Sequence, residues 1–548
     1  MLKINDLTIA FQNKIVLNKL SFTLEKGKTI GLVGESGSGK SLTSLAIMGL
    51  LPEQAKITQG SILYNDNNLL NFSEKQYRNI RGKSIAMIFQ EPMTSLNPVF
   101  TIGYQIEEVL KTHQNLTPKE RKEKVLDILN LVGIPDPSSK YHQYPHEISG
   151  GQKQRVVIAC AIACDPDLLI ADEPTTALDV TIQKQVLDLL LSIQEKQKMS
   201  MIFITHDLAV VSQMVDNVLV LYKGDSVEYN STKNLFKNPK DKYTKGLLSC
   251  RPELNLDAKR LPTLTDFLSE EGYKKELKEK KIFQDTLLEI KNLSVQFALP
   301  KKSFFDSKTY LKAVDNVTLS IKKGETLGLV GESGSGKTTL GRAILRLENP
   351  SEGSIYYNNQ DIYKVNHKES FDLRRKMQII FQDPYSSLNP RMNIEDTLIE
   401  PMLIHKLYPS KKEALEKVKE LLNKVGLEQS FLKRYPHEFS GGQRQRISIA
   451  RALSVKPDFI VCDESVSALD VSVQAQILNL LCDLQDDYNL TYIFISHDLS
   501  VISFMSDYVA VMNQGSIVEY NTTDNIYHHP NNEYTQSLLK SLPKFKYE

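Results

Sequence analysis

Thr29-Ile-Gly-Leu-Val-Gly-Glu-Ser-Gly-Ser-Gly-Lys-Ser41 decides the fold, and it returns as Thr326-Leu-Gly-Leu-Val-Gly-Glu-Ser-Gly-Ser-Gly-Lys-Thr338. Each copy starts as a short apolar run of strand type, turns through a G-x-x-x-x-G-K-[ST] loop and enters a helical pattern. The glycines clear side chains away so that backbone N–H groups can curl around a phosphate. The helix that follows turns its positive end toward the same anion. Gly34, Glu35, Ser36, Gly37, Ser38, Gly39, Lys40 and Ser41 therefore read as one nucleotide-phosphate cradle. Gly331, Glu332, Ser333, Gly334, Ser335, Gly336, Lys337 and Thr338 read as a second. Lys40 and Lys337 would reach the terminal phosphates, and Ser41 and Thr338 would place a hydroxyl on Mg²⁺. A glycine-rich turn with an incidental lysine explains one such loop better than two in the same context.

Working outward, the repeat extends through most of the chain. Phe89-Gln90 returns as Phe381-Gln382, Ser149-Gly150-Gly151-Gln152 as Ser440-Gly441-Gly442-Gln443, and Asp172-Glu173 as Asp463-Glu464. Leu178-Asp179 returns as Leu469-Asp470 and His206-Asp207 as His497-Asp498. The spacing drifts slightly between motifs and then holds, which marks a duplicated domain with loop insertions rather than a short-period solenoid. The expected division is a first domain over 1–262, a linker over 263–285 and a second domain over 286–548. The mixed-charge run Lys274–Lys281 reads as a solvated linker helix. The stretch Pro300–Thr309, inserted ahead of the second cradle, reads as an exposed loop. Leu2–Phe11 and Leu287–Phe297 alternate as strands. Short apolar runs at Leu168–Ala171, Met201–Thr205, Phe459–Cys462 and Tyr492–Ser496, separated by helical patterns, imply a mostly parallel sheet with helices on its faces.

Composition bounds the rest. The chain has 548 residues and a net charge of +1, so it carries no general polyanion footprint and no nucleic-acid role is expected. Five scattered cysteines do not form a disulfide framework or a four-cysteine metal site, and Cys160 with Cys164 reads as small core residues. No apolar run approaches a membrane span, and no signal-peptide core is present. A soluble cytoplasmic protein is expected, with any membrane span supplied by another subunit.

The remaining repeated residues carry chemistry. An apolar strand that ends in two carboxylates beside the phosphate strand needs a positive partner. Asp172 and Asp463 would hold Mg²⁺, and Glu173 and Glu464 would orient and polarise the attacking water. Ser149, Gly150, Gly151 and Gln152, like Ser440, Gly441, Gly442 and Gln443, open a helix with an N-capping serine and bare amides, a second anion site. Head-to-tail pairing would let the cap of one copy close over the nucleotide of the other. His206 and His497 follow apolar strands and suit a γ-phosphate contact. Gln90 and Gln382 suit a Mg²⁺ or water contact, an ordinary turn amide being the competing reading. His146 and His437 read as loop scaffolding, and His528-His529 as an exposed tail.

Together these residues resemble the nucleotide-binding domains of ATP-binding cassette (ABC) proteins. The cradles match Walker A, and Gln90 and Gln382 the Q-loop. Ser149-Gly-Gly-Gln152 and Ser440-Gly-Gly-Gln443 match the signature. Asp172-Glu173 and Asp463-Glu464 match Walker B with the catalytic Glu. Ala177-Leu-Asp179 and Ala468-Leu-Asp470 match the D-loop, and His206 and His497 the switch His. The resemblance implies an α/β fold of two tandem P-loop NTPase domains. Each would be a mostly parallel core sheet with an antiparallel and a helical subdomain. Phe11 resembles the adenine-stacking aromatic. In the second copy Phe297 is the candidate, with Tyr310 the alternative. Ile148 and Phe439 stand where Leu is common, and Ser465 where Pro is usual; neither change removes a catalytic group. Phe89-Gln-Glu-Pro-Met-Thr-Ser-Leu-Asn-Pro98, Tyr144-Pro-His-Glu147 and the tails Lys242-Tyr-Thr-Lys-Gly-Leu-Leu248 and Glu533-Tyr-Thr-Gln-Ser-Leu-Leu539 resemble oligopeptide/dipeptide importer ATPases. That resemblance implies ATP hydrolysis driving uptake of peptides or peptide-like solutes. It also implies two membrane permease subunits, an extracytoplasmic substrate-binding protein and a peripheral place on the cytoplasmic face of the inner membrane. An importer of nickel or another small solute is the alternative, ahead of a soluble tandem cassette acting in translation or DNA repair.

Overall fold

The computed structural model describes residues 1–12, 14–90, 95–175, 178–252, 258–269, 272–273, 275–278, 282–299, 309–467, 469–542 and 545–546. Chain contacts divide it into two units. The first comprises Met1–Ser249 and Leu264–Gly272 with the end of the chain, and the second comprises Cys250–Thr263 and Tyr273–Leu542.

In the first unit the strands are β1 (Leu2–Phe11), β2 (Lys14–Leu24), β3 (Thr29–Val33), β4 (Ala55–Tyr64), β5 (Asn67–Asn68) and β6 (Ile85–Ile88). They continue with β7 (Leu168–Asp172), β8 (Ser200–Ile204), β9 (Asn217–Tyr222) and β10 (Asp225–Ser231). β2-β1-β4-β5 form an antiparallel sheet, and β10-β9-β3-β8-β7-β6 form the core sheet, parallel except at its β10 edge. β3, β7 and β8 are buried along their whole length. Covered on both faces, they read as continuous apolar runs rather than alternating ones. Leu32, Ile170 and Ile204 from this sheet share one core with Ile4, Leu17 and Ile62 from the antiparallel sheet and with Ile47 from the helix Lys40–Met48. The carboxylate strand β7 does not lie beside the phosphate strand β3 as expected. β8 is inserted between them, so the acidic strand end and the phosphate loop face each other across one strand width. Helices Ile102–His113, Pro118–Leu131 and Gly150–Ile162 make up the helical part.

The second unit repeats this plan. Its strands are β11 (Thr286–Ala298), β12 (Tyr310–Lys322), β13 (Thr326–Val330), β14 (Glu352–Tyr357), β15 (Gln360–Asp361) and β16 (Met377–Ile380). β17 (Phe459–Asp463), β18 (Thr491–Ile495), β19 (Tyr508–Asn513) and β20 (Ser516–Thr522) complete it. The sheets are β12-β11-β14-β15 and β16-β17-β18-β13-β19-β20. The α/β reading of two tandem domains, each with a mostly parallel core and antiparallel and helical parts, holds.

One expectation fails at the junction. Lys275–Lys278, the described part of the charged run, is not helical; Leu277 forms an isolated β-bridge with Ala258. Backbone pairing with a distant segment overrides the helix-forming composition there. The inserted loop at 300–308 lies outside the described residues. Among the described residues no helix is long and apolar enough to cross a membrane.

Candidate active sites

Each phosphate loop is fixed by glycines that no other residue could replace. Gly34 has φ +148°, and a Cβ there would lie 2.1 Å from the Leu221 carbonyl oxygen, at the end of β9. Gly331 repeats this against the Met512 carbonyl, also at 2.1 Å. Gly39 and Gly336, both at φ +102°, lead into the helices Lys40–Met48 and Lys337–Ile344. Lys40 Nζ donates to the carbonyls of Gly34 (2.7 Å) and Glu35 (2.8 Å), so the lysine spans its own loop from below. Lys337 does the same with Gly331 and Glu332, both at 2.8 Å. Ser36, Gly37, Ser333 and Gly334 stay exposed at the loop tips, while Ser38 and Ser335 are buried beneath them.

The acidic groups converge on the far side of each loop. Thr338 Oγ1 donates to Asp463 Oδ1 at 3.1 Å, and the Ser41 hydroxyl bonds Asp172 in the first unit. Burial pushes the Asp172 carboxyl up to about 6, against the pull of the Ser41 bond. Burial raises Asp463 in the same way, with Thr338 opposing. Asp172 Oδ1 is buried without a hydrogen-bond partner among the described residues. A desolvated carboxylate oxygen beside a hydroxyl is a donor set that fits a hard divalent cation.

Glu173 and Glu464 follow in the left-handed region, both at φ +47°, a conformation costly for a side chain longer than Asn. Their N–H groups donate to Ile204 and Ile495 at 2.9 Å, which turns each carboxylate out of the sheet. Gln90 Nε2 donates to Glu173 Oε2 at 3.1 Å, and Gln382 Nε2 to Glu464 Oε2 at 2.6 Å. His206 Nδ1 lies 3.4 Å from Glu173 Oε1, and His497 Nδ1 lies 3.5 Å from Glu464 Oε2. Burial would raise Glu464, yet the bond and charge of His497, with Lys337 and Gln382, hold it below the usual glutamate range. Burial likewise opposes the charged His497 ring, and Glu464 draws its pKa upward on balance. Both Gln–Glu–His sets thus meet within one unit each.

Ser149 caps the helix Gly150–Ile162 by accepting from Gln152 N–H, while Gln152 Oε1 accepts from Ser149 N–H. Ser440 and Gln443 form the same reciprocal cap on Gly441–Leu453. Both caps are exposed. Phe11 pairs with Lys14 across the first hairpin and Phe297 with Leu311 across the second. These are matching positions, because the Val16 and Ala313 carbonyls then abut Gly39 and Gly336. Tyr310 pairs one place further out, with Ala298. His146 and His437 stand in exposed turns, stacked on Tyr144 and Tyr435. Ala177, Ala468 and the Q-loop residues 91–94 lie outside the described residues.

The ABC transporter family model matches residues 17–176 and 314–467, and the oligopeptide/dipeptide transporter C-terminal region matches 227–281 and 518–548. The chain belongs to the ABC transporter family. The glutathione import ATP-binding protein GsiA of Escherichia coli O157:H7 is 45% identical over 558 aligned residues, covering 99% of this chain and 89% of that protein. GsiA of Shigella dysenteriae matches over the same shares at the same identity. This ABC protein is an ATP-binding, ATP-hydrolysing subunit of the oligopeptide-importer type.

Sequence reasoning missed three residues in this ABC ATPase. Gln154, buried in the signature helix, donates to the carbonyl of Pro174 next to Glu173. Tyr243 and Tyr534, in the C-terminal regions, contact the phosphate loops. The signal lay in repetition: Tyr243 returns as Tyr534, and Gln154 returns as Gln445, although the buried Gln445 side-chain amide bonds nothing among the described residues.

Proposed function

We propose that this chain energises import of peptides or peptide-like solutes, glutathione being the cargo named for its relatives. The observation that carries the reading is the pair of complete Gln–Glu–His sets, each beside its own phosphate loop, in a chain that also has the oligopeptide-type C-terminal region twice.

ATP binds with its phosphates on the Lys40 and Lys337 loops and its adenine against Phe11 and Phe297. Ser41, Asp172 and Gln90, and Thr338, Asp463 and Gln382, would hold Mg²⁺, which neutralises charge on the β- and γ-phosphates when bound. Glu173 or Glu464 accepts a proton from the attacking water. The flanking glutamine and histidine aim that carboxylate, and His497 and Gln382 help hold Glu464 below the usual glutamate range. The two halves close head to tail, with Ser440 and Gly442 completing the first site and Ser149 and Gly151 the second. Hydrolysis removes the γ-phosphate that the caps grip, and the halves reopen.

Closure becomes transport through a permease. A cleft of about 500 Å³ at the first Q-loop is lined by Met87, Phe89, Leu96, Phe100 and Val157. Phe89, Val99 and Phe100 expose apolar surface at or beside it. We assign to this cleft a cytoplasmic helix of one of two membrane permease subunits. The chain then sits peripherally on the cytoplasmic face of the inner membrane, and a substrate-binding protein delivers cargo from the other side. Nucleic acid has no part in this reading.

The test is ATP turnover of the Glu173→Gln/Glu464→Gln double variant. Loss of the general base should lower turnover at least ~100-fold while ATP binding persists. Turnover at the wild-type level would overturn the assignment.

A further inference from the structure

Two tyrosines outside the cassette cores brace the phosphate loops. Tyr243 lies in the helix Lys242–Ser249 and Tyr534 in the helix Glu533–Lys540, both within the C-terminal regions. The N–H of Glu35 donates to Tyr243 Oη at 3.0 Å, and the N–H of Glu332 donates to Tyr534 Oη at 3.0 Å. Glu35 and Glu332 follow the strained Gly34 and Gly331, where each loop leaves its strand. The phosphate-facing amides come directly after this bend.

Each tyrosine is mounted in the same way. The buried Glu228 carboxylate accepts from the N–H groups of Lys240 (3.2 Å) and Asp241 (3.1 Å), and Asp241 Oδ1 accepts from Tyr243 N–H at 2.7 Å. In the second unit Glu519 accepts from Asn531 (2.8 Å) and Asn532 (3.3 Å), and Asn532 Oδ1 accepts from Tyr534 N–H at 2.9 Å. The Tyr243 ring also lies 4.2 Å from that of Tyr222, whose neighbour Leu221 supplies the carbonyl that confines Gly34. The two mounts differ at adjoining positions, Asp241 against Asn532 and Lys242 against Glu533, yet deliver the hydroxyl to the same amide.

We propose that Tyr243 and Tyr534 are positioning residues for ATP: the C-terminal region of each half completes the phosphate loop and presets its amides for the triphosphate. A loop held in its binding conformation loses less entropy when nucleotide arrives, so the effect falls on affinity rather than on the chemical step. This assigns the C-terminal region a share of the nucleotide site, and it requires only that the loops bind ATP.

The test compares the full-length wild type with the Tyr243→Phe/Tyr534→Phe double variant, which keeps both rings and removes both acceptors. One neutral hydrogen bond at each loop predicts a ~3- to 10-fold rise in the ADP Kd and the ATP KM, with kcat within about twofold of wild type. Thr244→Val/Thr535→Val is the control. It alters buried hydroxyls in the same two helices that bond nothing among the described residues, and it should leave Kd and KM unchanged. Unchanged nucleotide affinity in the phenylalanine variant would overturn the proposal, as would an equal loss in the valine control. Lys40→Ala/Lys337→Ala, assayed alongside, tests the phosphate-loop assignment separately through outright loss of ADP binding.

Discussion

Gly150 and Gly151 are neighbours in one cap, but packing needs only the second. A Cβ on Gly151 would lie 2.8 Å from Ile182 Cγ2, and one on its counterpart Gly442 would lie 2.4 Å from Val473 Cγ1. A Cβ on Gly150 would meet nothing within 4 Å, and one on Gly441 only Leu469 at 3.8 Å. Neither of these first glycines has the positive φ that excludes alanine. Folding therefore gives no reason for glycine at 150 and 441, and an approaching phosphate does. Gly150→Ala/Gly441→Ala should keep or raise stability, by up to ~1 kcal/mol at each site, while ATP turnover falls. Gly151→Ala should instead cost roughly 1–3 kcal/mol through overpacking. Chemical denaturation and an ATPase assay on the same samples separate the two effects. Full turnover in the Gly150→Ala/Gly441→Ala variant would refute the anion-cap reading.

At the scale of elements, what was legible depended on local periodicity. The limits of β3 and β13 followed from the sequence because buried parallel strands leave uninterrupted apolar runs. The starts of the signature helices followed because a serine ahead of the helical pattern is a strong N-cap, and the structure adds the glutamine three residues on as its reciprocal partner. Three things set by distant partners could not be read this way: the insertion of β8 between β3 and β7, the reach of Tyr243 to Glu35, and the bridge of Leu277 to Ala258 in place of a helix at Lys275–Lys278. Nearby, the Leu261 N–H donates to Asn479 Oδ1 and the Leu261 carbonyl accepts from Asn479 Nδ2, both at 2.8 Å and both buried. One amide side chain thereby replaces a strand partner and pins this segment to the helix Val471–Tyr488. Asn479→Ala would strand two buried backbone groups, at a cost of about 2–4 kcal/mol to the second unit. Limited proteolysis should then cut faster between Cys250 and Thr263 than in the wild type. Equal cutting rates would show that the segment is held by other contacts.

At the scale of the whole molecule, the duplication makes head-to-tail pairing testable by combining lesions. Under the proposed pairing, Lys337 and Ser149 serve one composite site, and Lys40 and Ser440 serve the other. Lys337→Ala with Ser149→Arg therefore damages one site twice, whereas Lys40→Ala with Ser149→Arg damages both sites once. If each cap served its own loop, these outcomes would exchange. Steady-state turnover alone is ambiguous, because two sites that fire together fall silent together. Nucleotide trapped per chain from added ADP, with vanadate in place of the γ-phosphate, needs no prior hydrolysis and counts the sites that can still close. The first pair should trap about half the wild-type amount, since one complete site survives, and the second should trap almost none. The reverse order would place each serine cap over the loop of its own half and remove the reason for joining two cassettes in one chain.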